Sequence, residues 1–175
     1  MMRPIFVLSL FLSGAPAAAP EPTRHLPGYE PPAWLMESIT ALLDAARRYG
    51  IDPLLAFSVA FQESELKPWA RSRREVMVDG VPVHKIIARG LMQISLQYQD
   101  ELVRRYLGWH PSNFDWRNPV HSAKLGCSYL SALIKRYGTW GGVASYNCGP
   151  GRYQELWNGR MLPEETVDYL KKVLG

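Results

Sequence analysis

The stretch Leu54-Leu55-Ala56-Phe57-Ser58-Val59-Ala60-Phe61 restricts the fold most. A helix through it is apolar nearly all round, and such a helix belongs inside a protein rather than on it. Asp52 supplies a cap and Pro53 suits the first helical position, so the start is well marked. Lys67-Pro68 marks the end, because the residue before a proline leaves the helical region. The chain must therefore provide other elements to surround this helix. At its end stand Gln62, Glu63, Ser64 and Glu65.

The flanking sequence supplies those elements. Trp34, Leu35, Ile39, Leu42, Leu43 and Ala46 recur at helical spacing from Ala33, and Gly50 is a suitable stop. Residues 76–87 read differently. Val76, Val78, Val81 and Val83 flank Asp79-Gly80, a hairpin signal, and Pro82 restricts its strand to an edge. Further helices are expected after Ser95 through Leu102 and Leu107, from Asn118-Pro119 to Tyr137-Gly138, over Val143 to Cys148, and around Tyr153 to Trp157. A last helix opens at Pro163-Glu164-Glu165, whose charges suit a helix N-terminus. The expected class is mostly α, one compact helical domain over residues 33–175 with one small β-hairpin. With 47% apolar and 21% charged residues, the chain has material for one packed core.

The N-terminus has another character. Arg3, an apolar run from Pro4 to Leu12, and then Ala15, Ala17, Ala18 and Ala19 match the layout of a secretory signal peptide over residues 1–19. Residues 20–32 are Pro-rich and read as an extended leader. No apolar stretch approaches the roughly 20 residues of a membrane span, and no cysteine follows the apolar run, so no stable membrane anchor is expected. The expected product is an exported monomer. Cys127 and Cys148 are a candidate disulfide in an oxidising compartment or two buried thiols, and sequence leaves both open. The net charge of +4 suits an anionic polymer, whereas the basic residues form no aromatic-rich stripe for nucleic acid. His25, His84, His110 and His121 form no convincing metal-ligand pattern, and no cofactor is expected.

Glu63 is the residue with chemical promise. Burial disfavours a charged carboxylate, and a helix C-terminus disfavours it further. A carboxyl kept protonated near neutral pH can protonate a glycosidic oxygen. The competing local reading is an exposed helix end paired with Lys67 or Arg71.

Four segments weigh against that reading. Glu63-Ser64-Glu65-Leu66-Lys67-Pro68-Trp69-Ala70-Arg71-Ser72, Ala88-Arg89-Gly90-Leu91-Met92-Gln93-Ile94, Ala144-Ser145-Tyr146-Asn147-Cys148-Gly149-Pro150-Gly151 and Leu162-Pro163-Glu164-Glu165-Thr166 with Tyr169 occur in that order. Together they resemble the motifs of the soluble lytic transglycosylase family. The resemblance implies a lysozyme-like α+β fold and a bacterial, periplasmic enzyme acting on peptidoglycan glycan strands. It implies cleavage of the β-1,4 bond between N-acetylmuramic acid and N-acetylglucosamine, with Glu63 as catalytic acid. By position, Ser72 matches a serine near the scissile sugar, where a turn cap is the alternative. Met92 and Gln93 match groove-lining residues, Met92 with core packing as the alternative. Tyr146 matches the tyrosine near the acid, Asn147 its structural neighbour, and Tyr169 a second groove-facing tyrosine, where core is equally open.

The resemblance also implies that no second carboxylate is needed. The muramic acid's own 6-hydroxyl would attack the anomeric carbon and close a 1,6-anhydro ring. Glu65, Glu75, Asp79 and Asp100 are the carboxylates considered as a second group; in a continuing helix Glu65 would face away. Residues 73–88 exceed the family's short version, Ser95-Leu96 stands where it commonly has proline, and Cys148 stands where it has a small residue. A small exported domain of this kind resembles the dedicated enzymes that accompany secretion or conjugation machines. A hydrolytic muramidase on the same fold and a non-cleaving glycan-binding assembly protein are the alternatives.

Overall fold

A computed structural model describes residues 30–175, within which Pro31–Gly175 form one compact unit. The expected signal segment and nearly all of the leader lie outside the described residues.

Helix α1 spans Ala33–Tyr49 and stops where Gly50 takes the left-handed conformation (φ 68°), its N–H closing on the carbonyls of Ala46 and Arg47. Helix α2 spans Pro53–Ser64, and the Asp52 side chain accepts from the Leu55 N–H at 2.9 Å. It ends earlier than Lys67-Pro68 suggests, because Glu65 and Leu66 both adopt positive φ (52° and 63°). Nor is α2 enclosed on every side. Ala56, Val59 and Ala60 are buried, but Leu54 and Phe61 stay exposed. Small residues on one face let α2 approach its neighbours closely, which leaves the bulkier face outward.

The hairpin is longer than expected. Strand β1 runs Arg71–Val78 and β2 runs Val81–Arg89, paired antiparallel from Arg71↔Arg89 to Val78↔Val81. Asp79 and Gly80 at the turn both have positive φ (51° and 79°), as a two-residue hairpin turn demands. A short strand β3, Ile94–Ser95, adds to the base of β2 and makes a three-stranded sheet in the order β1-β2-β3. Pro82 lies at the tip, beyond the reach of β3.

Helix α3, Gln99–Leu102, continues into a π-helical turn over Val103–Leu107. Helix α4 spans Pro119–Cys148, capped by Asn118, and is interrupted at Gly138 (φ 72°, ψ 173°). The two helices expected on either side of that glycine thus abut. Short α5, Pro150–Gln154, and a 3-10 turn over Glu155–Asn158 lead to α6, Glu164–Leu174. Helices α1 and α6 pack on α4, and α2 packs on α1 and α6; their core includes Leu42, Val59, Leu91, Met92, Leu130, Val143 and Tyr169. A second cluster gathers Ile94, Leu102, Val103, Phe114 and Leu125 under the loop before α4.

The cysteines are two free thiols, not a disulfide. Cys127 is buried in the main core, and burial pushes its thiol up to about 12. Cys148 ends α4, half-buried, with its Sγ 3.6 Å from the Gly149 carbonyl oxygen. The helix that carries both holds them on separate stretches, either side of Gly138.

Candidate active site

The end of α2 is pinned by its own sequence. Ser64, next to the acid, is buried; its Oγ donates to the Leu91 carbonyl at 2.7 Å and also lies 3.1 Å from the Ala60 carbonyl oxygen. That contact fastens the last turn of α2 to the Gly90–Gln93 loop and leaves Glu63 facing a cleft of about 370 Å³. Gln62 and Glu63 from α2, Ser72 from the base of β1 and Asn147 from the end of α4 line one part of it. Glu165, Asp168, Tyr169 and Lys172 from α6 line the rest.

Within the cleft, the Tyr169 hydroxyl donates to Glu63 Oε1 at 2.7 Å. Tyr169 is 5% exposed, so its phenol is held by the core and its hydroxyl alone reaches the site. Burial is the largest influence on the Glu63 carboxyl and raises it from 4.5 to about 7. The Tyr169 hydrogen bond opposes that rise by favouring the carboxylate, and the charge of Glu165 adds to it. Both protonation states of Glu63 are therefore populated near neutral pH. Removing the opposing hydrogen bond should move the balance further. Tyr169→Phe is expected to raise the Glu63 pKa, shift the alkaline limb of the pH–rate profile upward, and lower turnover by about tenfold or more. An unchanged profile would show that the hydroxyl does not act on the acid.

Among the other residues singled out by sequence, Ser72 and Asn147 line the cleft. Asn147 also accepts from Thr166 Oγ1 at 2.8 Å, tying the end of α4 to the start of α6. Tyr146 does not bond to Glu63. Its hydroxyl donates to the Met92 carbonyl at 2.8 Å and its ring packs on Tyr129. Burial, and then the charge of Glu63, push its phenol well above the ordinary tyrosine value. Met92 and Gln93 are not among the residues that line this cleft. Met92 is fully buried, and its side chain fills the space opposite Gly126, where an added Cβ would lie 2.4 Å from Met92 Cβ. Gln93 has φ 46°, and its Nε2 donates to the Gly90 carbonyl at 2.9 Å, closing its own turn. Its Oε1 is buried with no partner among the described residues.

The structure adds Gln62, Glu165, Asp168 and Lys172, which sequence reasoning missed. The last three share one stripe of a helix with Tyr169, so counting outward from that tyrosine by three and four would have found them. The carboxylates considered earlier are elsewhere. Glu65 pairs with Lys67 outside the cleft, and Glu75, Asp79 and Asp100 do not line it. Among the described residues, no three His, Cys, Asp or Glu side chains gather as a metal set.

A small helical domain with a β-hairpin beside the end of α2, and a near-neutral glutamate in the cleft between, has the architecture of a lysozyme-like lytic transglycosylase domain. The chain belongs to the transglycosylase SLT domain family, which matches residues 41–162. It is similar to the invasion protein IagB of Salmonella typhi, at 30% identity over 158 residues, covering 81% of this chain and 91% of that one. A match to IagB of Salmonella typhimurium strain SL1344 is 31% identical over 122 residues, covering 66% and 69%. Among solved structures it resembles an inactive mutant of the lytic transglycosylase Slt from Pseudomonas aeruginosa (TM-score 0.61, 27% identity, 77% of this chain). It also resembles the 70 kDa soluble lytic transglycosylase Slt70 from Escherichia coli (TM-score 0.57, 28% identity, 75% of this chain). The chain spans 22% of the length of each of these two enzymes.

Proposed function

We propose that this protein cleaves peptidoglycan glycan strands between N-acetylmuramic acid and N-acetylglucosamine, acting as a monomer and leaving a 1,6-anhydro-muramic acid end. The observation that carries this reading is Glu63 held near a pKa of about 7 by burial, with Tyr169 donating to it. Protonated Glu63 gives its proton to the glycosidic oxygen as the bond to the anomeric carbon breaks. The resulting carboxylate, stabilised by the Tyr169 hydroxyl, takes the proton of the muramic acid 6-hydroxyl as that oxygen bonds to the anomeric carbon. The proton count closes, Glu63 is regenerated, and no water is consumed. An attack from within the same sugar gains a large effective concentration over water.

A hydrolytic outcome has one observation in its favour, the carboxylate of Glu165 in the same cleft, which could hold a water for direct attack. Mass spectrometry of the products separates the two. Fragments one water lighter than hydrolysis products are expected, and ordinary reducing ends would refute the anhydro route.

The finer setting is also part of the proposal. Among the described residues no helix is long and apolar enough to cross a membrane. The signal-like residues 1–19 support export to the periplasm. N-terminal sequencing of the exported protein is expected to begin near Pro20, and retention of Met1 would refute it. Similarity to the Salmonella invasion proteins supports service to a secretion or conjugation apparatus that must cross the wall. A deletion strain with undiminished assembly of such an apparatus would count against that service.

A further inference from the structure

Across the base of the hairpin, three guanidinium groups converge on one indole. The Cζ atoms of Arg71, Arg89 and Arg117 lie 5.1, 5.1 and 4.6 Å from the centre of the Trp116 ring. Arg71 and Arg89 are direct cross-strand partners, and Arg117 follows Trp116 in the loop before α4. Cation–π attraction accounts for each contact singly. It does not account for three like charges on one ring, which repel one another.

Among the described residues no carboxylate forms an ion pair with this cluster, and the nearby charges of Asp100 and Asp115 offset the repulsion only in part. The ion pairs there involve Arg47, Lys67, Arg105, Arg160 and Lys171, and none involves this cluster. Arg89 Nε donates to the neutral Gln99 Oε1 at 3.1 Å, which orients the guanidinium without compensating it. Burial first, and then the charges of Arg117 and Arg71, lower the Arg89 pKa from its usual value, against a smaller opposing effect of Asp100 and Asp115. Asp115 turns its Oδ1 to the Arg117 backbone N–H at 2.9 Å and makes no ion pair with the three guanidinium groups. The base of the hairpin is therefore aromatic-backed and positively charged, with three guanidinium groups outside any ion pair among the described residues. Such a site is suited to a planar anion, because guanidinium groups pair with carboxylates through two parallel hydrogen bonds.

Its position selects the ligand. Arg71 is adjacent to Ser72, which lines the cleft, and successive strand residues point to opposite faces. The cluster thus lies across one strand from the catalytic cleft, on the side opposite Glu63. An appendage of the bound polymer, extending about 3.3–3.6 Å per residue, reaches from one face to the other within a few residues. We propose that Arg71, Arg89 and Arg117 on Trp116 form a carboxylate-binding site for the peptide carried by the glycan strand. This rests on the reading of peptidoglycan as substrate. It gives the hairpin a role in choosing strands that still bear peptides over strands from which they have been removed.

The test compares binding of peptide-bearing glycan strands with strands stripped of peptides by an amidase, both in the Glu63→Gln protein so that nothing is cleaved. Adding Arg71→Gln and Arg117→Gln, both at exposed positions, is expected to weaken binding of peptide-bearing strands by about tenfold. Binding of stripped strands should stay unchanged. An equal loss on both kinds of strand, or no loss on either, would overturn the proposal. The readout is binding, so it remains decisive even if the wild-type protein releases no anhydro products, an outcome that would refute the proposed function instead.

Discussion

Glu63→Gln is expected to lower wall-cleaving activity by at least about a thousandfold while leaving the fold intact. The amide can neither donate the proton to the glycosidic oxygen nor recover one from the 6-hydroxyl, so both halves of the proposed reaction are lost. Retained activity above about a hundredth of wild type would remove Glu63 from the mechanism. The same substitution makes a second, independent prediction on stability. The Glu63 pKa is 4.5 without burial and about 7 in the folded protein. Below pH 4.5 the group is neutral in both states and costs nothing. Between pH 4.5 and about 7 the unfolded chain ionises while the folded group keeps its proton, so the protein loses about 3 kcal/mol over that window, and above it the group is charged in both states and the loss stops. Gln carries no charge, and its amide oxygen can still accept from Tyr169. Glu63→Gln should therefore melt several degrees higher than wild type at pH 8 and close to wild type at pH 4.5. Thermal melts at the two pH values check this. A variant that melts lower at pH 8 would show that the carboxylate is better solvated than its surroundings suggest.

Gly90→Ala is expected to destabilise the protein by about 3 kcal/mol. Gly90 has φ 86°, so a side chain there meets left-handed strain. An added Cβ would also lie 2.7 Å from the Trp116 backbone oxygen and 2.9 Å from Ser122 Oγ. Ser122 Oγ accepts the Met92 N–H at 3.2 Å, so displacing it disturbs the loop that holds Ser64 and Tyr146. Gly108→Ala is the control. Gly108 has φ 67° but open space around an added Cβ, so it bears the conformational cost alone. Denaturant midpoints should show Gly90→Ala at least twice as costly as Gly108→Ala. Equal costs would mean that the Trp116 loop yields freely.

These two positions show what the recognised motifs do. The segment around Gly90 resembles a groove-lining motif in sequence, yet its glycine and Met92 act through close packing. Met92 at zero exposure contributes its carbonyl to Tyr146 rather than its side chain to a sugar. The motif marks the site because the loop holds the end of α2 in place.

Much of the local framework was legible from residue order. Asp52 caps α2, Asn118 caps α4, Gly50 ends α1 and Asp79-Gly80 turns the hairpin. Each of these depends on interactions within a few residues, which sequence displays directly. The extent of the hairpin was less legible, because Arg71 to Glu75 are polar and exposed and carry no alternating pattern. The burial of α2 was overstated for a related reason. Hydrophobicity marks a helix as fit to be enclosed, but only its neighbours decide which face is covered.

The sequence by itself determined the helical class, the hairpin turn, the family and the glutamate at the end of α2. The tertiary structure decided what that glutamate can do. Tyr169 lies 106 positions away along the chain, yet its hydroxyl sits 2.7 Å from Glu63. Glu165 joins the same cleft, and Cys127 and Cys148 stay unpaired. A pKa depends on the burial and charge around a group, and a bond between distant residues depends on how helices pack. Neither is a property of residues near one another in sequence.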